Sequence, residues 1–349
     1  MAWSLGTLRV TSHPYFRLLI PFLTVLLQCY GVWAFCHQFC YLQLYQRRNA
    51  KGACIGLIIV VLSLTFLIWY IWALMLVLGP GRQPTIPPFK IIPDSEIRTV
   101  SSESAVPDNS IAPPDIYPCD ERGYPIWCSN CQSLKMSRTH HSTKVGYCVP
   151  RFDHYCVWIG TVLGRLNYKL FVQFTFYLDL VVLILMISIA TQMRQMKGSA
   201  NGNVYAVFAL ACCALLMAGP LFLTHIYYMC YNRTSIEIIE VNNKAKASRK
   251  FFCIYNPCDG YRYVIQFCPG ENQDFWNKGN ILTNLKEFLG PNYLSWFIPS
   301  ILTHKQSYGK SSANYYDLIG DCNEVMSEKF QKYMIDKIER KEYVTRLVV

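Results

Sequence analysis

Four long segments without basic residues constrain the fold of this 349-residue chain more than any other feature. They cover residues 18–46, 52–81, 170–193 and 198–232, and Asp179 is their only charged residue. A helix needs about 20 apolar residues to cross a bilayer core, so each segment is long enough. Charged residues make up 16% of the chain, against about 25% in soluble domains. We therefore expect lipid to cover much of the protein.

We predict an all-α polytopic membrane protein with four transmembrane helices and a small zinc-stapled, cysteine-rich domain between helices 2 and 3. The predicted transmembrane helices cover residues 15–39, 53–78, 169–193 and 204–231. The predicted segments around them are a cytosolic N-terminal tail, an irregular linker, the cysteine-rich domain and a cytosolic C-terminal tail, at 1–14, 83–118, 119–168 and 232–349. The linker is rich in Pro, Ser and Asp and lacks helical periodicity. Within the tail, the pattern predicts a short helix over 281–288 and a surface helix over 335–349.

The distribution of Lys and Arg predicts how the chain crosses the membrane. The formal net charge is +11, and loops rich in basic residues tend to lie in the cytosol. There are 10 Lys and Arg residues over 82–169 and 16 after the fourth apolar segment, but only 3 between the first two segments and 2 between the last two. We therefore expect both termini and the cysteine-rich domain to be cytosolic. Because topology accounts for the basic residues, the expected partner is the bilayer and not nucleic acid.

Three cysteines and a histidine have the spacing of a structural zinc site. The pattern is Cys128-x2-Cys131-x9-His141-x6-Cys148, and three thiolates with one imidazole form a common tetrahedral zinc set. A metal would organise a segment that is too small to fold by apolar burial alone. His140 is an alternative ligand because it adjoins His141, and an accidental cluster of reduced cysteines is the other interpretation.

A run of three reactive side-chain types follows the zinc pattern. Asp153, His154 and Cys156 lie within four positions, just before the third apolar segment. A cysteine is an effective nucleophile as its thiolate. An adjacent imidazole can take the thiol proton, and a carboxylate can orient that imidazole. Alone, this short run is a weak indication of catalysis.

The combination of these motifs resembles the cysteine-rich domain of the DHHC palmitoyltransferases. Here the family motif reads DHYC, and the overall pattern is similar to that of a small yeast-type protein fatty acyltransferase without ankyrin repeats. The tail segment 234–237 looks like the family's TTxE motif, and 79–81 stands where the family has Asp-Pro-Gly. Further matching positions are Lys135, Arg138, Trp158, Gly164, Asn167, Phe171, Asn284, Phe288 and Gly290.

The resemblance implies a protein S-acyltransferase that moves a palmitoyl or other long-chain acyl group from acyl-CoA onto Cys156 and then onto a cysteine of a membrane-associated substrate protein. It implies His154 as the base, Asp153 as the residue that orients it, and a cavity between the helices for the acyl chain. Thr234 and Ser235 are expected to hydrogen-bond near Asp153, with Asn284 as a further supporting residue. The predicted acyl-CoA-binding residues are Lys135, Arg138 and Trp158, with Lys144 and Arg151 as further candidates for the CoA phosphates.

The family normally binds two zinc ions, and this chain departs from that pattern. The first ligand set matches Cys128, Cys131, His141 and Cys148. At the four positions of the second set stand Ser142, Val145, Tyr155 and Val162, none of which is a good zinc ligand. We therefore predict one structural zinc ion, with packing in place of the other.

Two other functional classes fit part of the sequence. A zinc-stapled membrane adaptor, such as a RING-like scaffold, would leave Cys156 without a role, and the chain lacks the cross-brace ligand spacing. A catalytically inactive member of the same fold remains open because the motif is altered. Acyl labelling of Cys156 distinguishes these classes from an enzyme.

Overall fold

The computed structural model describes residues 14–93, 110–196, 201–242, 249–268, 271, 274–299, 314–322 and 324–348. The chain folds as two compact units. The unit that we call the helical unit contains Met1–Leu78, Tyr155–Thr161 and Lys169–Ile226. The unit that we call the sheet unit contains Gly79–His154, Val162–Tyr168 and Tyr227–Val349.

Four long helices carry the apolar segments, and each has the length and composition to cross a membrane. They are α1 (Pro14–Trp33, continued by a π-helical stretch Ala34–Arg47), α2 (Lys51–Leu78), α3 (Tyr168–Met193) and α4 (Gly202–Cys230). The first helix thus ends at Arg47 and not at the predicted residue 39. Asn49, two residues beyond this end, has a left-handed backbone with φ 56°. This conformation commonly ends a helix. The protein is therefore an integral membrane protein with four apolar helices.

Trp72 connects the α2 helix to two other parts of the helical unit. The Trp72 ring packs edge-on against Phe174 of α3, with 5.9 Å between the ring centroids. Its indole N–H donates to the backbone carbonyl of Ile159 at 3.0 Å. This bond satisfies a buried polar group and holds the loop 155–161, which carries Cys156, against α2.

The prediction of an all-α protein is wrong, because the sheet unit contains a five-stranded antiparallel sheet. Its strands are β1 (Ile92–Pro93), β2 (Ile116–Cys119), β9 (Lys250–Asn256), β10 (Tyr261–Phe267) and β11 (Thr345–Val348), in the order β1-β11-β10-β9-β2. The β9 and β10 sequences are rich in aromatic and β-branched residues, which favour strands. A turn ending in Asp259-Gly260 joins them, with Gly260 at φ 77°, so they form a hairpin.

The linker is more ordered at its ends than its composition indicates. Residues 92–93 and 116–119 form the two edge strands of the sheet, and the predicted linker therefore belongs to the sheet unit at both ends. The Gln83 side chain accepts from the Met136 N–H at 2.9 Å and donates to the Leu134 carbonyl at 2.6 Å. These two bonds satisfy backbone polar groups of Met136 and Leu134 in the cysteine-rich segment. The middle of the linker, 94–109, lies outside the described residues.

The C-terminal tail contributes an aromatic core to the sheet unit. Phe330 of α8 (Glu328–Glu339) packs against Phe275 and Phe267, with ring centroids 4.6 Å and 5.0 Å apart. Met334 of the same helix is fully buried in this cluster. The predicted surface helix over 335–349 is therefore wrong: α8 begins and ends earlier, and the chain then enters β11.

The remaining elements of the sheet unit are short. The strands of the cysteine-rich segment are β3 (Trp127–Cys128), β4 (Ser133–Leu134), β5 (His140–Ser142), β6 (Tyr147–Val149), β7 (His154–Cys156) and β8 (Thr161–Leu163). The tail adds the helices α5 (Ser235–Asn242), α6 (Ile281–Leu289) and α7 (Tyr315–Ile319). The α6 helix agrees with the short helix expected over 281–288.

The position of Leu347 in β11 provides a test of this architecture. Its side chain is buried in a cluster with Tyr117, Val264 and the Cys253 thiol, so we expect Leu347→Ala to destabilise the sheet unit by about 2–5 kcal/mol. The control is Val344→Ala, which removes an apolar side chain that is 42% exposed. The measurement is thermal unfolding of the full chain in lipid nanodiscs. Equal unfolding temperatures for the two variants would contradict a tail that folds into the sheet.

Candidate active site and metal centre

The cysteines and histidine of the zinc pattern come together in the sheet unit. Cys128 ends β3, Cys131 lies in the turn before β4, and His141 is paired with Cys148 across the β5–β6 hairpin. The His141 Nδ1 atom lies 3.3, 3.6 and 4.0 Å from the sulfurs of Cys131, Cys128 and Cys148. Zinc bonds of about 2.0–2.3 Å at tetrahedral angles require S···N separations of about 3.5 Å. All four ligand atoms lie within 4.8 Å of one another, so the cluster could hold a metal ion.

The two adjacent histidines differ in their surroundings. Successive residues of a strand point to opposite faces, and His141 faces the three sulfurs while His140 packs against the Phe152 ring at 6.0 Å. The alternative ligand is therefore placed away from the cluster. Ser142 and Val145 lie at and just after the end of β5, and Ser142 Oγ accepts a bond from the Lys144 N–H at 3.3 Å. The Ser142 side chain thus takes part in the turn after β5.

The Asp153 carboxylate is fully buried and bonded on both oxygens. Its Oδ1 accepts from the Ser235 backbone N–H at 2.7 Å, and its Oδ2 accepts from the Ser235 hydroxyl at 2.8 Å. The His154 ring lies 2.6 Å from Oδ2 through its Nδ1. A carboxylate in this position accepts a hydrogen bond from Nδ1–H, which leaves Nε2 as the basic nitrogen. The arrangement can orient an imidazole for proton transfer.

Cys156 follows His154 in the same strand. The two residues occupy the first and last positions of β7, and side chains two apart in a strand point to the same face. The Cys156 side chain is buried and reduced, whereas His154 keeps 32% of its side chain exposed. The sequence spacing thus places Cys156 and His154 on the same face of β7.

A cavity of about 350 Å³ opens beside Cys156 within the helical unit. Trp158 and Ile159 line it next to the cysteine, and residues of all four long helices complete the wall. On α4 the lining runs from Val207 to Leu221, about 21 Å along the axis at 1.5 Å per residue. Almost all of the lining is apolar, so the cavity can take a hydrocarbon chain but no hydrated group.

The Thr-Ser-Ile-Glu segment acts as a capping box at the start of α5. Glu237 accepts from the Thr234 N–H at 2.8 Å, and Thr234 Oγ1 accepts from the Glu237 N–H at 3.4 Å. This reciprocal pair satisfies two backbone donors of the helix N-terminus. Ser235 is thereby fixed with its N–H and hydroxyl toward Asp153. Thr234 itself caps the helix and does not bond to Asp153 in the structure.

Arg138, a predicted CoA ligand, is buried within the sheet unit. Its guanidinium makes a two-bond pair with Glu237, at 2.8 Å for both bonds, and also donates to Asn232 Oδ1 at 2.9 Å. The Trp276 ring covers it at 5.2 Å. Its backbone is left-handed, at φ 58°, a strained state for a residue other than glycine. These contacts occupy the guanidinium, which corrects the expectation that it faces CoA phosphates.

Glu324 is a residue that the sequence did not single out. Its carboxylate accepts two bonds from Arg151, at 2.7 and 2.8 Å, and one from Arg165 at 2.7 Å. Arg138 adds a contact at 3.4 Å. Burial opposes the charge, but the arginines outweigh it and lower the Glu324 pKa to about 2. The ion pairs of Glu324 therefore stabilise the fold fully at pH values above the ordinary carboxyl pKa of about 4.5. This stabilisation is lost as the pH falls from about 4.5 toward 2.

The other sequence-predicted residues have distinct positions. Asn284 donates to the Cys230 carbonyl and to Asn277 Oδ1, both at 2.8 Å. Trp158 lines the cavity with 48% of its surface exposed. Lys135 is half-buried at the end of the β3–β4 hairpin, where its N–H donates to the Ile126 carbonyl at 2.8 Å. Arg151 pairs with Glu324 and lies 4.6 Å above the Phe288 ring, so its guanidinium, like that of Arg138, is occupied.

Comparison with known proteins agrees with this geometry. The family model of the DHHC palmitoyltransferases matches residues 122–242. Palmitoyltransferase PFA5 of Eremothecium gossypii is 41% identical over 341 residues, which are 95% of this chain and 94% of the relative. Palmitoyltransferase PFA5 of Saccharomyces cerevisiae is 38% identical over 99% of this chain and 96% of its own length. The Candida glabrata protein of the same name is 37% identical over 93% and 92%.

The likeness extends far beyond the cysteine-rich segment and includes the apolar helices and the tail. Together with the grouped cysteines and histidine, the buried Asp153 and the apolar cavity at Cys156, it shows that the chain belongs to the DHHC palmitoyltransferase family and is a protein S-palmitoyltransferase.

Proposed function

We propose that Cys156 is the nucleophile of this enzyme, with His154 as its base and Asp153 as the residue that orients the base. The observation that carries the proposal is the apolar cavity that opens at Cys156. An inactive scaffold has no need for a hydrocarbon-sized cavity at a reduced cysteine. The short Asp153–His154 contact, at 2.6 Å, supports the role of His154.

The reaction proceeds in two transfers. His154 Nε2 takes the Cys156 proton, and the thiolate attacks the carbonyl carbon of the acyl-CoA thioester. The bond between that carbon and the CoA sulfur breaks, and the imidazolium returns its proton to the leaving CoA thiolate. The thiol of a substrate protein then gives its proton to His154, and the resulting thiolate attacks the carbonyl carbon of acyl-Cys156. The bond between that carbon and the Cys156 sulfur breaks, and the imidazolium returns its proton to the Cys156 thiolate. Asp153 stabilises the imidazolium in both transfers.

The acyl chain occupies the cavity of the helical unit during these transfers. Burying a methylene is worth about 0.8 kcal/mol, so a palmitoyl group favours the apolar wall over water. The co-substrate of the enzyme is palmitoyl-CoA, and the acceptors of the palmitoyl group are membrane-associated proteins. The bilayer surrounds the four helices, and the predicted positions of the termini and the cysteine-rich domain in the cytosol place the thiol where cytosolic acyl-CoA arrives.

One structural zinc ion completes the cysteine-rich domain in this proposal. Cys128, Cys131, His141 and Cys148 would hold it, and it would supply folding energy to hairpins too small to be stable alone. The adjacent His140 remains outside the ligand set because it packs on Phe152. The second family site is replaced by the Ser142 turn and apolar side chains.

The CoA moiety is held by basic residues other than the buried arginines. Lys135 and Lys144 are partly exposed on the cysteine-rich segment and can reach phosphates as flexible point charges. Trp158 offers an exposed ring beside Cys156. Arg138 and Arg151 instead brace the sheet unit through Glu237 and Glu324.

Acyl labelling tests the nucleophile directly. The wild-type chain, incubated with a clickable palmitoyl-CoA analogue, should gain a hydroxylamine-sensitive label, and Cys156→Ala should lose it because the attacking sulfur is gone. The matched control is Cys258→Ala, which removes an exposed thiol in the β9–β10 turn. Full labelling of Cys156→Ala would refute the proposal.

Metal analysis tests the zinc stoichiometry. We expect one zinc ion per chain in purified protein, and close to none in Cys131→Ser, with a lower unfolding temperature because the site organises the β3–β4 and β5–β6 hairpins. Cys268→Ser, at an exposed thiol away from the cluster, should keep the metal. Two zinc ions per wild-type chain would show that the second site survives with other ligands.

Substitution of Gly31 tests the position of the acyl chain. Gly31 lines the cavity, and a Cβ there would lie 4.0 Å from side-chain atoms of Val207 and Leu210, near the start of α4. Gly31→Leu should fill this part of the cavity and shift the preference toward shorter acyl-CoA. Gly56→Leu is the control, since a Cβ at Gly56 meets nothing within 4 Å. Rates measured across acyl lengths that do not change in Gly31→Leu would place the chain elsewhere.

Substitution of Glu324 tests whether the tail helps to position the Asp153 carboxylate. Glu324→Gln leaves three arginines without their shared charge, and loss of one partner of a buried ion pair costs about 3–5 kcal/mol. We expect a lower unfolding temperature and a reduced acylation rate, because Arg138 also holds Glu237 at the start of α5. Glu339→Gln, at an exposed position of α8, should resemble wild type. A Glu324→Gln enzyme of normal stability and rate would remove the tail from this role.

A further inference from the structure

An exposed apolar surface lies on the tail segment that follows β10. It consists of six residues of α6 and the turn after it, and we call it the interfacial patch: Ile281, Leu282, Tyr293, Leu294, Phe297 and Ile298. Their exposed fractions range from 43% to 72%. Residues 281–298 contain only two charged residues, Lys286 and Glu287. A water-facing segment of this length usually carries more charge, and clustered exposed apolar side chains mark an interaction surface.

The patch belongs to a well-anchored element. Asn284 and Leu289 of α6 are buried. The α6 helix is capped by Asn280, whose side chain accepts from the Leu282 N–H at 2.8 Å. The Trp296 indole donates to the Gly290 carbonyl at 2.8 Å. The apolar side chains are therefore presented by a fixed scaffold.

The position of the patch along the membrane normal follows from one hydrogen bond. The Asn284 side chain donates to the carbonyl of Cys230 at 2.8 Å, and Cys230 is the last residue of α4. A helix of 29 residues is about 43 Å long, so its end lies among the headgroups at the boundary with the hydrocarbon core. The α6 helix is thus tied at the depth of this boundary.

Side chains near the interfacial patch are of types that concentrate at the membrane–water interface. Tyr227 and Tyr231, at the end of α4, are 56% and 43% exposed, and tyrosines concentrate at membrane–water interfaces. The Lys286 ammonium lies 5.2 Å above the Tyr293 ring. A lysine at the margin of an apolar face can extend its charge toward lipid headgroups.

We propose that the interfacial patch is immersed in the headgroup and upper acyl region of the bilayer leaflet at this end of α4. The ligand class is phospholipid, and the segment acts as an in-plane membrane anchor of the tail. This inference requires that α4 spans the membrane and does not depend on the catalytic roles of Asp153, His154 or Cys156. Covering of the patch by a second copy or by another protein is the competing outcome.

Fluorescence quenching in nanodiscs tests the inference. The full-length chain is prepared with Leu294 replaced by dansylalanine, and separately with Ile335 replaced by the same residue. Ile335 lies on α8 of the same unit and is 46% exposed, which makes it a matched control. Each variant is reconstituted at one chain per nanodisc, with nitroxide-headgroup phospholipid as the lipid quencher and iodide as the aqueous quencher.

We expect the lipid quencher to act several-fold more strongly at position 294 than at position 335, with the opposite order for iodide. Strong iodide quenching at 294, equal to that at 335, would show a water-facing patch and overturn the proposal. Protection of position 294 from both quenchers would show a protein cover and overturn it equally. Retained acyl labelling of each variant verifies that the chains are folded.

Discussion

The buried Asp153 carboxylate is the interaction on which the rest of the structure depends. It accepts two bonds from Ser235 and lies against the ring of His154. A buried carboxylate is costly unless both oxygens are bonded, so the donors must be fixed before the histidine can be oriented. The capping box at the start of α5 fixes Ser235, and the hairpins of the cysteine-rich segment fix Asp153. A charge held in this way can stabilise an imidazolium without moving.

The tail and the linker serve this arrangement from a distance. The linker supplies both edge strands of the sheet, and the tail supplies the three strands between them. The tail also supplies Glu324, whose arginine partners come from the cysteine-rich segment and the turn before α3. One of the same arginines, Arg138, holds Glu237 of the capping box. The support of Asp153 therefore extends across residues that are far apart in the sequence.

Local signals in the sequence predicted the features that depend on local chemistry. The segments without basic residues predicted four apolar helices, and the Cys/His spacing predicted a cluster that could hold a metal. The family resemblance predicted that Ser235 would lie near Asp153, and the structure has that contact. These features are set by runs of composition or by motifs of a few residues, which a sequence displays directly.

The missed features depend on long-range pairing. The sheet joins Ile92–Pro93 to Thr345–Val348, and no local pattern identifies a partner so far along the chain. The short charged and apolar run at the C-terminus fits the period of a helix as well as that of a strand, so the sequence alone predicts a helix where β11 lies. Glu324 is one acidic residue among 22, and only the fold brings the arginines to it. Arg138 was interpreted as a phosphate ligand because sequence does not show which basic side chains are buried.

The autoacylation rate of Asp153→Asn is the most direct test of the central claim. An asparagine keeps the shape but removes the charge that stabilises the imidazolium. The account predicts much slower autoacylation of Cys156 by a folded Asp153→Asn enzyme. Asn284→Asp, at a site away from His154, provides a comparison for general damage to the fold. An Asp153→Asn enzyme that acylates itself at the wild-type rate would contradict the account.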